Sequence, residues 1–281
     1  MSTVAAALAA ARAKLPASEA RLLLGHVLGR PPAWLIAHDD EVLDEAALLR
    51  FASLVARRNG GEPVAYLVGH REFYGREFAV SPEVLIPRPE TEMLVDIALA
   101  QEVGAGGTAT GAARILDLGT GSGCIAITLA LEIPSAQVSA VDAYDAALRT
   151  ARKNAERLKA SLRLLQSDWF SALAGERFDL IVANPPYIAA TDPHLAAGDL
   201  RHEPVTALAS GDDGLDAIRR IVADAPEHLV PGGQLWLEHG YDQAAAVREL
   251  FAGAGWTDIA QHRDLAGIVR VTGGRVSQIG A

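Results

Sequence analysis

The spacing of apolar residues changes character once along the chain, near residue 70. Before that point it is helical: in Ser18 to Leu28, the residues Ala20, Leu23, Leu24, Val27 and Leu28 fall on one face, the stripe by which a helix packs onto a core. Helices are predicted over Val4 to Lys14, Ser18 to Leu28, Pro32 to Ala37 and Asp44 to Arg58, so residues 1–70 read as a helical bundle without strands. Residues 71–84 read as a linker, because His70 to Val80 carries two short alternating runs about Gly75 and predicts a hairpin. From residue 85 to 281 the pattern is one of short apolar runs between helices. Strands are predicted over Arg114 to Leu118, Gln137 to Val141, Leu162 to Gln166, Phe178 to Ala183 and Gln234 to Glu238. Helices are predicted from Pro89 to Ala100, Cys124 to Leu131, Ala146 to Leu158, Leu215 to Leu229 and Ala244 to Ala254. Nearly continuous apolar strands separated by helices signal an α/β domain with a parallel, doubly wound sheet. Pro231-Gly232-Gly233 reads as a turn, and the strands near Thr257 to Gln261 and Gly267 to Thr272 as a closing hairpin.

Two stretches interrupt this order. Gly104 to Gly111 is a low-complexity run that reads as a surface loop, and Ala189 to Gly214 is polar and suits a lid over a site.

The chemistry begins where strands end, because ligands of open α/β sheets bind outside the strands' carboxyl ends. After the first strand come Gly119-Thr120-Gly121-Ser122-Gly123 and a helix, a loop whose glycines let backbone approach a ligand closely. The spacing differs from the dinucleotide fingerprint, which argues against an NAD oxidoreductase. Asp117 before the loop would repel a pyrophosphate and suits the cationic amino-acid end of S-adenosylmethionine. Asp142 ends the second strand, where ribose hydroxyls are held in such folds. Asp145 is expected to cap the next helix and leave Asp142 free. Asp168 and Trp169 end the third strand and offer a carboxylate and a ring to an adenine.

Asn184-Pro185-Pro186-Tyr187 follows the apolar run Phe178 to Ala183. These residue types also form ordinary turns. At a strand's carboxyl end they have a chemical use: the Asn184 side-chain oxygen and the Pro185 carbonyl can hold both hydrogens of a planar –NH2 group, and Tyr187 can stack on its plane. Such a nitrogen is a poor nucleophile, so the site must orient it and stabilise the charge that develops as it is alkylated. The motif therefore points to methylation of an amide or of an exocyclic amine.

With Glu62-Pro-Val-Ala-Tyr-Leu-Val-Gly69, Leu85-Ile-Pro-Arg-Pro-Glu-Thr91, Asp117 to Gly123, Gln166-Ser-Asp-Trp-Phe170, Asn184 to Ile188 and Leu237-Glu-His-Gly240, the chain resembles the release factor glutamine methyltransferases over nearly its whole length. The resemblance implies a seven-stranded S-adenosylmethionine-dependent methyltransferase sheet with a small N-terminal helical domain that holds the substrate protein. It implies methyl transfer to the side-chain amide of the glutamine in the Gly-Gly-Gln motif of bacterial class 1 release factors, by in-line attack of the amide nitrogen on the sulfonium methyl. Asp117, Gly119, Thr120, Gly121, Ser122, Gly123, Asp142, Asp168, Trp169 and Asn184 are then expected to bind cofactor. Asn184, Pro185 and Tyr187 would be catalytic, and those three with Pro186 and Arg88 would hold the glutamine. Arg88 could equally serve a surface salt bridge.

Composition narrows the alternatives. With 35 acidic against 25 basic side chains the net charge is −10, which gives no overall footprint for nucleic acid. This weighs against an adenine-N6 methyltransferase, whose substrate offers a similar planar amine, although Arg57, Arg58, Arg71 and Arg76 could form a local basic patch. A non-catalytic module that binds S-adenosylmethionine and a protein partner is a further alternative, against which Asn184 and Tyr187 argue. The lone Cys124 excludes an internal disulfide and reads as a small core residue. His194, His202 and His239 match no ligand spacing, so no metal is expected. The apolar run Val4 to Ala10 lacks preceding positive charge and reads as an ordinary helix, and no apolar stretch is long enough to span a bilayer. A cytoplasmic monomer without stable nucleic-acid or membrane attachment is expected.

Overall fold

The computed structural model describes residues 2–101 and 112–277, so the loop predicted at Gly104 to Gly111 lies outside the described residues. The chain forms two compact units: residues up to His70 join Ala197–His202 in one, and Arg71–Ala196 with the chain from Glu203 onward makes the other.

The first unit contains β1 (Ser2–Thr3), α1 (Val4–Ala11), α2 (Ala17–Leu28), α3 (Pro32–Ala37), β2 (Val42–Leu43), α4 (Glu45–Asn59) and α5 (Val64–Val68). Polar caps set the helix starts: the Thr3 hydroxyl accepts from Ala6 N at 3.2 Å and the Asp44 carboxylate from Ala47 N at 2.6 Å. The apolar stripe of α2 is the core face, with Ala20, Leu23 and Leu24 fully buried against Leu8, Leu35, Phe51 and Val55. The bundle is not strand-free as expected, because Ser2 and Thr3 pair antiparallel with Leu43 and Val42. Arg58 donates to both oxygens of Glu19 and to Asp199, and Arg201 donates to the Gly60 carbonyl, which fastens Ala197–His202 into this unit.

The second unit, from Arg71, opens within the hairpin of β3 (His70–Phe73) and β4 (Arg76–Ala79) and continues with α6 (Glu92–Ala100), β5 (Arg114–Leu118), α7 (Cys124–Glu132), β6 (Gln137–Asp142), α8 (Asp145–Leu158), β7 (Arg163–Gln166) and β8 (Phe178–Ala183). It closes with α9 (Asp216–Asp224), β9 (Leu229–Glu238), α10 (Ala244–Gly253), β10 (Thr257–Arg263) and β11 (Val269–Arg275). A seven-stranded sheet runs β10-β11-β9-β8-β5-β6-β7, parallel from β9 to β7 and antiparallel at β11 and β10. This is the expected α/β sheet with its terminal hairpin.

Alternate strand residues feed two apolar layers. Ile115, Val138, Leu180 and Val182 pack on one face with α6 and α7, while Leu116, Leu118, Val141, Ile181 and Ala183 pack on the other with α9 and α10. Both faces are covered, which is why the strands read as continuous apolar runs.

Two boundaries differ most from the sequence reading. The helix predicted to Leu229 ends at Asp224 and gives way to a 3-10 turn, Ala225–His228. The strand then starts at Leu229 and runs through Pro231-Gly232-Gly233 instead of turning there. Its pairing to β8 slips between Phe178 opposite Leu229 and Leu180 opposite Gln234, and this bulge absorbs the extra residues.

Candidate functional site

Because β5, β6, β7 and β8 are parallel, the segments that leave them emerge at one end of the sheet. The chain runs outward through β5, β6 and β7 and then returns to place β8 beside β5, so the order reverses between those two strands. A cleft opens at such a point. The cavity there is lined by Arg88, Gly119, Thr120, Gly121, Ser122, Asp142, Asp168, Trp169, Asn184 and Pro186 of the predicted site residues. Asp117, Gly123, Pro185 and Tyr187 do not line it.

The glycine loop is held from both sides. Gly119 N and Thr120 N donate to the Val141 carbonyl at 2.9 Å each, and Gly121 N donates to Asp142 Oδ2 at 2.9 Å. Gly123, at φ 83°, leads into α7, and a Cβ there would lie 2.7 Å from the Ile127 Cδ1 and 3.1 Å from the Ala151 Cβ, so only glycine lets the helix start this close to α8. The Asp142 carboxylate also accepts from Tyr144 N at 3.0 Å, and burial raises its pKa despite these bonds. Asp145 was expected to cap α8. Its carboxylate instead pairs with Arg149 one turn on, and the capping position falls to Tyr144, which makes no side-chain cap bond.

Asp117 is fully buried beneath the loop. Its Oδ2 accepts from the Thr120 hydroxyl at 2.7 Å, while Oδ1 has no hydrogen-bond partner. With no cation beside it, burial pushes the carboxyl up to about 7. The sulfonium cofactor fits these residues: an unpaired buried carboxylate oxygen suits a cationic amino group, and two acids at the loop would disfavour a pyrophosphate. Of the adenine candidates, the Trp169 ring lies beside Gly119, where a Cβ would sit 3.5 Å from it. The Asp168 carboxylate is taken up by the Arg220 guanidinium at 2.9 and 3.0 Å.

Asn184 sits on the cavity wall at the end of β8. Its Nδ2 donates to Thr91 Oγ1 at 3.0 Å, and Oδ1 is a buried acceptor without a partner. Thr91 in turn donates to Glu238 Oε2 at 2.6 Å, and the Tyr187 hydroxyl donates to Glu238 Oε1 at 3.1 Å. Burial, then the neighbouring Glu238 charge, raises the Tyr187 phenol well above its usual range. The Tyr187 ring, expected to stack on the substrate, packs against the apolar layer of Ile181 and Leu237. Its backbone is fixed by Gln243, which donates to the Tyr187 carbonyl at 2.9 Å.

Arg88 lines the cavity and pairs with Glu203 at 2.5 Å; the Glu203 side chain is fully buried, and its other oxygen accepts from Ile86 N at 3.0 Å. The salt-bridge role weighed for Arg88 is thus real, but it braces the cavity wall. Pro204, Thr206 and Ala207 from the expected lid line the cavity too. Sequence reasoning gave no role to Thr91, Glu203 or Glu238. Thr91 and Glu238 lie within the stretches Leu85 to Thr91 and Leu237 to Gly240 that carry the resemblance, which was the available signal. Cys124 also lines the cavity, and burial pushes its thiol up to about 12. Among the described residues no cluster of three or more His, Cys, Asp or Glu side chains could hold a metal, and no helix is long and apolar enough to cross a membrane.

Residues 99–252 match the Methyltransferase small domain family, and residues 1–69 match the PrmC N-terminal domain. The chain is 53% identical over 261 residues to the release factor glutamine methyltransferase of Bordetella pertussis, covering 92% of this chain and 95% of that protein. It is 53% identical over 269 residues to the enzyme of the same name from Burkholderia pseudomallei, covering 93% of each. In fold it is similar to a methyltransferase from Pyrococcus furiosus, with a TM-score of 0.54 at 19% identity, covering 80% of this chain and 99% of the other. It is also similar to the human methyltransferase 10 domain containing protein, with a TM-score of 0.52 at 18% identity, covering 82% and 98%. With relatives of this identity matched nearly end to end, and with both of its units represented, the chain belongs to the release factor glutamine methyltransferase family.

Proposed function

We propose that this protein transfers a methyl group from S-adenosyl-L-methionine to the side-chain amide nitrogen, N5, of the glutamine in the Gly-Gly-Gln motif of bacterial class 1 peptide chain release factors. The observation that carries this reading is Asn184 Oδ1, a buried acceptor without a partner on the wall of the cavity. A buried polar atom left unpaired costs about 1–3 kcal/mol, and a substrate –NH2 group relieves that cost on binding.

The cofactor, when bound, supplies a methyl group made electrophilic by the positive sulfur. Asp117 is assigned to the cofactor's ammonium group, the backbone of Gly119 to Gly123 to its amino-acid moiety and Asp142 to its ribose. Asp142 Oδ2 accepts from Gly121 N and Oδ1 from Tyr144 N, which fixes the carboxylate at the cavity wall. Trp169 and Asp168 flank the adenine. Asn184 Oδ1 and the Pro185 carbonyl orient the amide nitrogen, Pro186 and Arg88 shape the wall around it, and Tyr187, packed behind that wall and bonded to Glu238, fixes the turn that carries them. Rate comes from holding the two reactants in line and from acceptors placed where positive charge develops on nitrogen. That charge makes the alkylated amide acidic, so its proton passes to water without a dedicated base.

The N-terminal helical unit is assigned to recognition of the release factor, and the enzyme to the cytoplasm as a monomer without stable nucleic-acid or membrane binding. The acidic balance supports the absence of stable nucleic-acid binding, as does the pairing of Arg57, Arg58 and Arg76 with carboxylates. The test is Asn184→Ala, assayed for labelled-methyl incorporation into an unmodified release factor and titrated with S-adenosylhomocysteine. Turnover should fall by about 10²-fold or more with cofactor affinity retained. Full activity in the variant would remove Asn184 from the mechanism, and tight salt-dependent binding of nucleic acid would favour the adenine reading.

A further inference from the structure

Asn184 can be useful only in one of its two amide orientations, which have nearly the same shape and are distinguished only by what they bond. The groups behind it decide between them. Thr91 and Glu238 are each 2% exposed, and their side-chain polar atoms are bonded within the protein. Burial raises the Glu238 carboxyl, while the Thr91 and Tyr187 hydroxyls that donate to it favour its ionised form, which only accepts; a hydroxyl has one proton to give. Thr91 gives that proton to Glu238 Oε2 at 2.6 Å and so meets Asn184 as an acceptor at 3.0 Å. The amide must then present Nδ2 to Thr91, which leaves Oδ1 on the opposite side, buried and unpartnered. The second carboxylate oxygen takes the Tyr187 hydroxyl proton at 3.1 Å, so one buried acid tethers both ends of Asn184-Pro185-Pro186-Tyr187.

We propose that Thr91 and Glu238 are positioning residues: Glu238 holds the Thr91 hydroxyl proton, and the chain of donors and acceptors so fixed makes Asn184 show its oxygen, not its amide hydrogens, to the incoming planar nitrogen. This rests on the methyl-transfer reading above and deepens it. A flipped Asn184 would set two N–H donors against the two of the substrate amide. Such a site would still bind cofactor and would still fold around the same volume, but it would repel the nucleophile it should orient.

The experiment is the pair Thr91→Val and Thr91→Ser, each assayed for kcat and KM with an unmodified release factor and for S-adenosylhomocysteine affinity by calorimetry. Valine keeps the shape and loses the hydroxyl, whereas serine keeps the hydroxyl and loses the methyl. The positioning role predicts a fall in kcat of about 10²-fold in T91V, the size expected for removing one group that fixes charge-stabilising geometry. It also predicts unchanged S-adenosylhomocysteine affinity in T91V and recovery of most turnover in T91S. Thr91→Ala, which also lacks the hydroxyl, serves in place of T91V should the latter not fold, with the same loss expected. A role in packing alone predicts the reverse order, with T91V active and T91S impaired, and that result would overturn the proposal. Asn184→Ala and the parent measured alongside separate the two levels: an inactive N184A beside a fully active T91V defeats the positioning role alone, a fully active N184A removes Asn184 from the mechanism and the positioning role with it, and a parent that binds S-adenosylhomocysteine but methylates no release factor defeats the methyl-transfer reading itself.

Discussion

Replacing Asp117 by Asn should make the protein's stability less dependent on pH. Asp117 is fully buried, one of its oxygens has no partner, and burial lifts its carboxyl from 3.8 to about 7, the Thr120 hydrogen bond notwithstanding. Between those two values the folded chain keeps a proton that the unfolded chain has lost. Unfolding then releases a proton, so the Asp117 contribution to stability is complete below about pH 4 and is lost as pH rises through about 7. At about 1.36 kcal/mol for each pH unit within that window, the change between pH 5 and pH 8 is about 3 kcal/mol. For a chain of 281 residues with an unfolding entropy of about 2.1 cal/mol/K per residue, this corresponds to about 5 °C in melting temperature. Asn cannot titrate, so D117N pays a burial penalty that is the same at every pH. Melting curves of the ligand-free parent and of D117N, recorded from pH 5 to pH 8, should diverge as pH rises, with the variant gaining on the parent. S-adenosylhomocysteine should then flatten the slope in the parent, because its ammonium group favours the charged carboxylate. Parallel melting profiles across this range would refute the assignment of a buried, uncompensated acid at the cofactor loop.

Two further perturbations test the walls of the same cavity. Arg88→Ala leaves the fully buried Glu203 with only Ile86 N as a partner, and should cost about 2–4 kcal/mol of stability as an uncompensated buried charge; chemical denaturation checks this, and Glu203→Gln in the same background should restore most of the loss. Gly123→Ala places a Cβ 2.7 Å from Ile127 at a φ of 83°, and should cost about 1–3 kcal/mol while weakening S-adenosylhomocysteine binding, as read by thermal shift and calorimetry.

What was legible in the sequence was what is local. The glycine loop, the acids at the ends of β5 and β6, and Asn184 to Tyr187 each sit within a few residues of a strand end, and burial on both sheet faces made those strands visible as nearly continuous apolar runs. The partners that orient them are remote in sequence. Thr91 and Glu238 are 147 residues apart, Thr91 and Asn184 are 93 apart, and Arg88 and Glu203 are 115 apart, so no local pattern joins them. Short elements escaped for a different reason. Helix α5 has five residues between Pro63 and the left-handed Gly69, and β1 and β2 have two each, so none is long enough for its period to repeat. Pro231 to Gly233 misled because turn-forming residues in a strand can be taken up by a bulge in the ladder. Asp145 misled because two acids three residues apart both suit a helix start, and the one on the strand, Asp142, had already taken the backbone N–H groups of Gly121 and Tyr144.

The central claim is the identity of the atom methylated. An unmodified class 1 release factor incubated with this protein and S-adenosylmethionine, then digested and analysed by peptide mass and fragmentation, should carry one added methyl group on the Gly-Gly-Gln glutamine side chain. The same release factor with that glutamine replaced by alanine should gain none. Absence of added mass with cofactor bound, or a methyl group on any other residue, would contradict the account.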